Sequence, residues 1–404
     1  MSALLDQLTA PPLAAVADDL DQLRSQAQKV LMQHGFPMRK TEAWRYTPLA
    51  LLERREWQSG AAEAVAPALE LPFDGRVLNI HNGRPLTAVG EAWPGLELEP
   101  LRADRIDTTE YADQDPSDAF AWLNLARLEH GLSIRVTETQ PLPLVLLFTS
   151  DAAFNQAQHP RIDLQLDPGV SITLIEIQRL QGEGLINAVL DVHLAQGAQL
   201  QHLMQRQSEQ TALIARTEVR VGRNADYQAY VLDQGGALTR QDLKVALIDD
   251  HARAGIHGVA VLKHKQLVDY HTAIQHRVGP SRSDEDFRIL ADDHAMGVFN
   301  GRIHMLPGAD DSHSDMNTAN LLLSEHARIN TKPELEIHAE EVTASHGATI
   351  GQLEDSARFY LRSRGLNDAQ ATALLKLGFA AAAFDDMPSG AHKDWFIDHL
   401  QNNL

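Results

Sequence analysis

His346 is the side chain with the clearest chemical potential in this sequence, and it ends the short segment VTASH at residues 342–346. If this segment is extended, residues 342, 344 and 346 face one side, and Thr343 and Ser345 face the other. A neutral imidazole is a suitable ligand for iron and other transition metals. The alternative is a histidine at the end of a strand whose ring bonds to a backbone carbonyl. The residues alone leave both interpretations open.

A second group of potential metal ligands occurs at residues 311–315, where the sequence is DSHSD. An extended chain would place two carboxylates and one imidazole on one face of this segment, which suits a hard metal ion. Acidic, serine-rich segments are more typical of solvated loops, and we expect a loop here. The other histidines lack a recognisable ligand spacing or fall in turns.

Several kinds of chemistry have no signature in the chain. It contains no phosphate-binding loop with its lysine, no glycine-rich dinucleotide fingerprint after a strand, and no Gly-x-Ser-x-Gly nucleophile elbow. Cysteine is absent, so no disulfide can form and the chain offers no thiolate ligand. We therefore expect neither an ATPase nor a stand-alone enzyme.

The net charge of the chain limits the kinds of molecule that it is expected to bind. The formal net charge of −20 disfavours nucleic acid and anionic membrane surfaces, because their phosphates would be repelled. The first twenty residues are not basic, which is unlike a signal peptide, and no apolar run is long enough to span a bilayer. These features predict a cytoplasmic protein.

A repeat of 27 to 28 residues organises the middle of the chain. Turn-like residues that tolerate a positive φ recur at Gly169, Gly197, Asn224 and His251, each before a small or β-branched residue and a stretch of apolar–polar alternation. A turn-then-strand unit of this length predicts stacked coils in which each unit buries its inner face on its neighbours. A β-sandwich would give similar alternation, so the pattern alone leaves both architectures open.

Helical patterns lie towards both ends of the chain. Apolar residues at three- and four-residue spacing predict a helix within residues 2–35, and a further helix over residues 118–130 ends at Gly131. The Trp-Arg-Tyr segment within residues 39–52 is interpreted as a packing anchor, and residues 58–72 as a linker. After a basic helix that Gly365 closes, Asn367 and Gln370 have the spacing of a capping box, and a last helix covers residues 393–402.

Four motifs in one order resemble the SufB/SufD family of iron–sulfur cluster assembly proteins, over about residues 267–386. The motifs are NLLLS at residues 320–324, TKPELEI at 331–337, ASHGATIG at 344–351 and FYLRSRGL at 359–366, with a weaker match in RKTEAWRY at 39–46. The resemblance implies a mainly β fold with a right-handed parallel β-helix core and helical flanks. It divides the chain into an N-terminal helical or mixed domain (1–132), a β-helix core (133–348) and a C-terminal helical domain (349–404).

The same resemblance implies a role and partners. Members act as scaffold subunits: this chain would pair with a SufB-like subunit, and its C-terminal helices would dock the SufC ATPase through Leu374, Leu375 and Phe379. His346 would bind iron or a nascent cluster beside a cysteine of the partner. Some relatives have cysteine where this chain has Ala344, so a second ligand from this chain is not expected. Because the chain has no thiolate, the isolated chain should bind no cofactor, and the lack of cysteine favours the SufD branch. The isolated chain is also expected to form a homodimer.

Two rival functions follow from the same sequence. A β-helix enzyme acting on polysaccharide would need clustered carboxylates on an exposed groove, and no such set is evident. A purely structural homodimer would use its sheet edges for pairing and leave His346 without chemistry.

Overall fold

The computed structural model describes residues 3–9, 19–38, 40–55, 57, 70–86, 93–109, 111, 116–151 and 155–404. Most of the predicted linker at residues 58–72 lies outside the described residues. So does Arg39, the first residue of the RKTEAWRY motif.

Two long sheets form the body of the molecule. In chain order the strands are β1 Arg76–His81, β2 Arg84–Pro85, β3 Leu96–Pro100, β4 Gly131–Val136, β5 Leu144–Thr149, β6 Ala157–Gln158, β7 Arg161–Leu166, β8 Ser171–Leu180, β9 Leu185–Leu194, β10 Gln199–Ser208, β11 Ala212–Val221, β12 Asp226–Asp233, β13 Leu238–Leu247, β14 Arg253–Leu262, β15 Leu267–His276, β16 Arg282–Ala291, β17 Met296–Met305, β18 His313–Leu322, β19 Arg328–Ile337 and β20 Thr343–Gly351. Sheet A has the order β2-β1-β5-β8-β10-β12-β14-β16-β18-β20, and sheet B has the order β19-β17-β15-β13-β11-β9-β7-β4-β3.

From β7 onwards, successive strands alternate between the two sheets, and the chain winds as a parallel β-solenoid of about 8 turns. Only the β1–β2 and β3–β4 pairs are antiparallel among the described strand pairs. We call one turn of the solenoid, with one strand from each sheet, a rung. The parallel β-helix that the repeat and the resemblance predict is therefore confirmed, and the sandwich alternative is wrong.

The alternation along each strand separates an inner from an outer face. Inner side chains such as Ile172, Leu200, Tyr227 and Ala254 stack from rung to rung in one continuous apolar core. Neighbouring parallel strands lie about 4.8 Å apart, so identical positions of successive rungs are in direct contact. The core is consequently a set of rows along the solenoid axis.

The repeating turns adopt the predicted backbone. Gly169, Gly197, Asn224 and His251 have φ of 70°, 69°, 53° and 58°. The corresponding turn before β17 differs, because the positive φ (51°) falls on Asp293 rather than on His294. His294 thus lies in the turn but does not have the positive φ. Its ring instead stacks on His326 of a later turn, with ring centroids 4.8 Å apart.

The N-terminal helices cover the outer face of sheet B. They are α1 Ala3–Thr9, α2 Asp21–His34, α3 Ala50–Glu53 and α4 Ala119–Ala126. Trp44 and Phe120 stack with ring centroids 5.2 Å apart and share one apolar cluster with Ile214 and Leu238 of sheet B. Trp44 is the packing anchor that the sequence predicts, whereas Tyr46 of the same motif is exposed. Helix α4 is shorter than predicted and ends before Gly131.

The C-terminal helices are α5 Asp355–Ser363, α6 Asp368–Ala381 and α7 Ala391–Gln401. Phe384, Trp395, Phe396 and Leu400 are buried in a cluster that includes outward-facing residues of sheet A such as Tyr230. The capping box is present: the Asn367 side chain accepts a hydrogen bond from the backbone of Gln370. The end of α7 thus folds back on the solenoid body.

The end of β20 is the strand boundary nearest His346. The two glycines at 347 and 351 predict that extended structure ends there; the strand continues through Gly347 and ends at Gly351. Nine consecutive pairs with β18 hold the strand in register, which overrides the weak strand preference of a single glycine. As for membranes, none of the helices among the described residues is long and apolar enough to cross a bilayer.

Candidate functional site

The solenoid ends in an open rung. β20 is the last strand of sheet A and β19 is the last strand of sheet B, so each pairs with a neighbour on one side only. Most residues of β20 are exposed, and Ile337 and Ile350 are exposed apolar side chains at this end. We call the surface formed by β19 and β20 the open end. An edge strand with free backbone groups and exposed apolar residues is a template for pairing with another chain.

His346 lies on this open end. It pairs in register with Met316 of β18, which in turn pairs with Glu285 of β16 and then, one rung further in, with Ile256. Met316, Glu285 and Ile256 are buried inner residues, so His346 continues an inner row. Because no further rung covers it, its side chain is exposed. The predicted shared face of residues 344 and 346 agrees with this register, and Ala344 packs against the core.

The opposite face of β20 carries Ser345, whose hydroxyl donates a hydrogen bond to Asp315 Oδ1. Asp315 Oδ2 lies 2.7 Å from His313 Nε2. These contacts lower the pKa of the Asp315 carboxyl. The DSHSD segment is therefore a turn followed by the start of β18, rather than a solvated loop throughout, and its acid and imidazole bind each other and Ser345.

The described part of the chain assembles no metal site with three ligands of its own. Among the described residues there is no group of three or more His, Asp or Glu side chains that could hold a metal ion. His346 is accordingly a single exposed imidazole, and any metal bound there would need further ligands from another molecule.

The C-terminal helices present a second exposed surface. Phe359 and Tyr360 of α5 are 73% and 56% exposed, and Leu374 of α6 is 48% exposed. We call these three side chains the apolar helix face. Leu375 is half-buried, and Phe379 packs against β16, where the Arg288 guanidinium donates a 2.7 Å hydrogen bond to its carbonyl. The three predicted docking residues therefore differ in solvent exposure: Leu374 is exposed, and Leu375 and Phe379 are half-buried.

Sequence reasoning missed Phe359 and Tyr360. Their segment was interpreted through its basic residues as a short helix closed by glycine, and an aromatic pair in an amphipathic helix is normally expected to be buried. One signal in the sequence could have found them. Helix α5 has apolar residues on more than one face, and the body of the protein can cover only one face of a surface helix.

A groove of about 570 Å³ lies between the N-terminal segment and the outer face of sheet B. Its carboxylates are held by neighbouring cations. Asp242 lies 2.8 Å from Arg240, and Glu334 lies 2.7 Å from Lys332. Carboxylates engaged in such pairs are poorly placed for acid–base cleavage of a glycosidic bond. The groove thus gives no support to the polysaccharide-acting alternative.

The fold and the open end define a class of protein: a parallel β-solenoid with helical flanks whose last rung is left without a further strand on either sheet. Comparison with known proteins gives the family. The SUF system FeS cluster assembly, SufBD core domain matches residues 148–379, more than half of the chain. The chain belongs to the SufBD family.

Similar proteins agree with this assignment. The chain is 29% identical to the iron-sulfur cluster assembly protein SufD of Escherichia coli over 363 residues, covering 87% of this chain and 85% of that protein. It is 28% identical to an iron-sulfur cluster assembly SufBD family protein of Synechocystis, covering 90% and 87% of the two chains. It is also 25% identical to the chloroplastic protein ABCI7 of Arabidopsis thaliana, covering 100% of this chain and 89% of that protein.

Proposed function

We propose that this protein is a non-catalytic scaffold subunit of an iron–sulfur cluster assembly complex. The observation that carries the proposal is the exposed His346 on an unpaired last rung, in a chain of the SufBD family. A SufB-like subunit is the expected partner. It would add strands to β19 and β20 and supply the thiolates that this chain lacks.

A nascent cluster would then form where the two subunits meet. The single imidazole of His346 would provide one ligand, and cysteine of the SufB-like subunit would provide the others. The chain itself would hold no resident cofactor. Its contributions would be the geometry of the edge strands and one nitrogen ligand.

The energy input would come from a SufC-like ATPase. Its docking site would be the apolar helix face together with Leu375 and Phe379. An ATP-driven change in the ATPase would move the C-terminal helices, which pack on sheet A, and thereby shift the rungs that carry His346. This arrangement accounts for the exposed apolar residues of α5 and α6, the second of which packs on the body through Ala380.

The test is co-expression of the chain with SufB- and SufC-type partners, followed by anaerobic reconstitution with iron and sulfide. We expect a ternary complex with a cluster absorbance band, and we expect His346→Ala to keep the complex but lose most of the cluster. His326→Ala is the matched control, because it removes another exposed imidazole without touching the open end.

The outcomes distinguish the scaffold role of the chain from the ligand role of His346. A complex whose cluster yield ignores His346→Ala would keep the scaffold and reject the ligand. Failure of the chain to bind either partner would reject the scaffold and leave the purely structural homodimer, in which the open ends of two copies pair.

A further inference from the structure

We propose that Glu285 keeps its proton in the folded chain at neutral pH, and that loss of this proton loosens the last rungs of the solenoid. The inference concerns the stability of the open end and stands whether or not His346 binds iron.

The environment of Glu285 carries the argument. Its side chain points into the solenoid between Ile256 and Met316 of the adjacent rungs, and the residue is only 3% exposed. Among the described residues, neither of its carboxyl oxygens has a hydrogen-bond partner of normal geometry, and the nearby hydroxyl of Thr272 has none either. An ionised carboxylate without a partner in such a place is very costly, whereas a protonated carboxyl is tolerated.

No charge from the surrounding elements compensates Glu285. The inner residues of β14, β17, β18 and β19 are apolar, glycine, proline, serine, threonine or asparagine. β15 contributes two titratable inner residues, Tyr270 and His276. The pKa of Tyr270 is raised well above its usual range, and burial lowers the pKa of His276 to about 4, so both are neutral at pH 7.

Asp284 is a charged group that acts on Glu285; it lies on the outer face of the same strand and contacts His257 Nε2 at 3.0 Å. On that face Arg288 pairs with Asp286, and helix α6 packs there. Burial, opposed only by the Thr272 hydroxyl and reinforced by Asp284, raises the pKa of Glu285 to about 8.

A second inner carboxyl shows the opposite arrangement. Glu176 of β8 also points into the solenoid, but its Oε1 lies 2.8 Å from His202 Nε2. Burial would raise its pKa, yet the hydrogen bond and charge of His202 outweigh burial and lower the pKa below the usual value. The absence of a partner, rather than the inner position itself, therefore distinguishes Glu285.

The location of Glu285 determines what its proton controls. It lies two rungs inward of His346, with β18 between it and β20 of the open end. In a stack whose rungs contact only their neighbours, disruption at the rung of Glu285 is transmitted to the strands beyond it, because β18 is held between β16 and β20 and the last strands pair on one side only. Opening of β18, β19 and β20 would expose Glu285 to water and let it ionise.

The experiment is hydrogen exchange of the full-length protein between pH 6 and 8, with rates corrected for intrinsic exchange. In the native protein we expect the opening of β18–β20 to become up to about tenfold easier for each pH unit, because the open form releases a proton. Glu285→Gln should abolish this pH dependence and slow the exchange of these strands. Glu176→Gln, the matched control, should leave their pH dependence unchanged.

Two further measurements keep the test decisive. Glu285→Met, which removes the acid altogether, should also abolish the pH dependence if Glu285→Gln does not fold. Infrared spectra of the native protein at pH 7 should contain the carbonyl band of a protonated carboxyl that disappears at higher pH. Equal pH slopes in native and substituted proteins, or the absence of that band, would overturn the inference.

Discussion

At the residue scale, a small number of buried ionic contacts decide how the N-terminal segment is held on the solenoid. Arg240 is buried, lies 2.6 Å from Asp269, donates a 2.7 Å hydrogen bond to the carbonyl of Ala43, and lies 4.0 Å from the ring centroid of Trp44. Burial would raise the pKa of Asp269, but Arg240 and His271 hold it below its usual value. One guanidinium therefore joins sheet B to the packing anchor.

Replacing this guanidinium should be severe. Arg240→Met would leave Asp269 buried without its main cation, and removing one partner of a buried pair typically costs about 3 kcal/mol or more. We expect a lower midpoint of urea unfolding and greater proteolysis of the N-terminal segment. Arg223→Met is the comparison, since its partners Asp249 and Asp250 are on the surface and such pairs contribute about 1 kcal/mol or less. Equal losses in the two variants would contradict this interpretation.

The sequence predicted the role of single residues where a turn requires a positive φ. His251 was expected at a turn because its position matches glycine in two earlier repeats, and it has the positive φ that the match requires. Glu285 shows the limit of such reasoning. In the sequence it is one acid among many in SDEDF, and only the register places it inside the solenoid rather than outside.

At the scale of elements, helix α6 combines an apolar contact with the body and an apolar surface left exposed, and helix α5 beside it carries two exposed aromatic side chains. Ala380 of α6 is fully buried, whereas Leu374, almost two turns earlier, is nearly half exposed. A helix that is apolar on more than one side has a reason to be covered by another protein. The helix pair is therefore the element on which the proposed ATPase docking depends.

A charge placed on this element should interfere with docking alone. We expect Leu374→Glu to weaken binding of a SufC-type partner by tenfold or more in a calorimetric titration, because a carboxylate would be buried in the interface. The thermal midpoint of the free chain should hardly change, since the site is exposed. Ala373→Glu adds the same charge at the neighbouring exposed position and should have a smaller effect. Similar losses for both variants would indicate that charge, and not this apolar face, affects binding.

Elements with strong local signals were predictable, and those fixed by tertiary contacts were not. The capping box at Asn367 and the strands that follow each turn agree with the sequence. The continuation of β20 through Gly347 does not, because pairing with β18 over the whole strand outweighs the local preference. The exposure of Phe359 likewise depends on whether another element packs over α5, and a local sequence pattern does not contain this information.

At the scale of the whole molecule, the two ends of each sheet differ. The first strands are short and turn back in antiparallel pairs, β1 with β2 and β3 with β4, which limits further pairing. The other end stops at β19 and β20 with ten- and nine-residue strands and no antiparallel partner. The molecule therefore has one end suited to association, which is the basis for expecting a homodimer of the isolated chain.

Charges at this end should prevent association. We expect Ile337→Glu with Ile350→Glu to make the isolated chain monomeric in sedimentation velocity and to abolish pairing with a SufB-type partner. The two carboxylates would be buried against an apolar edge. Leu86→Glu with Leu142→Glu, which alters two other exposed apolar residues, should leave association unchanged. Retained pairing in the first variant would show that the open end is not the interface.

The open last rung also has a consequence for biosynthesis. A ribosome releases the chain from its N-terminus, and in a parallel solenoid each new turn can add to the one already formed. The segment that completes β20 is therefore the final part of the solenoid to emerge. The strand that carries His346 cannot recruit a partner until the rest of the stack exists, so pairing with another subunit through the open end waits until the solenoid is complete.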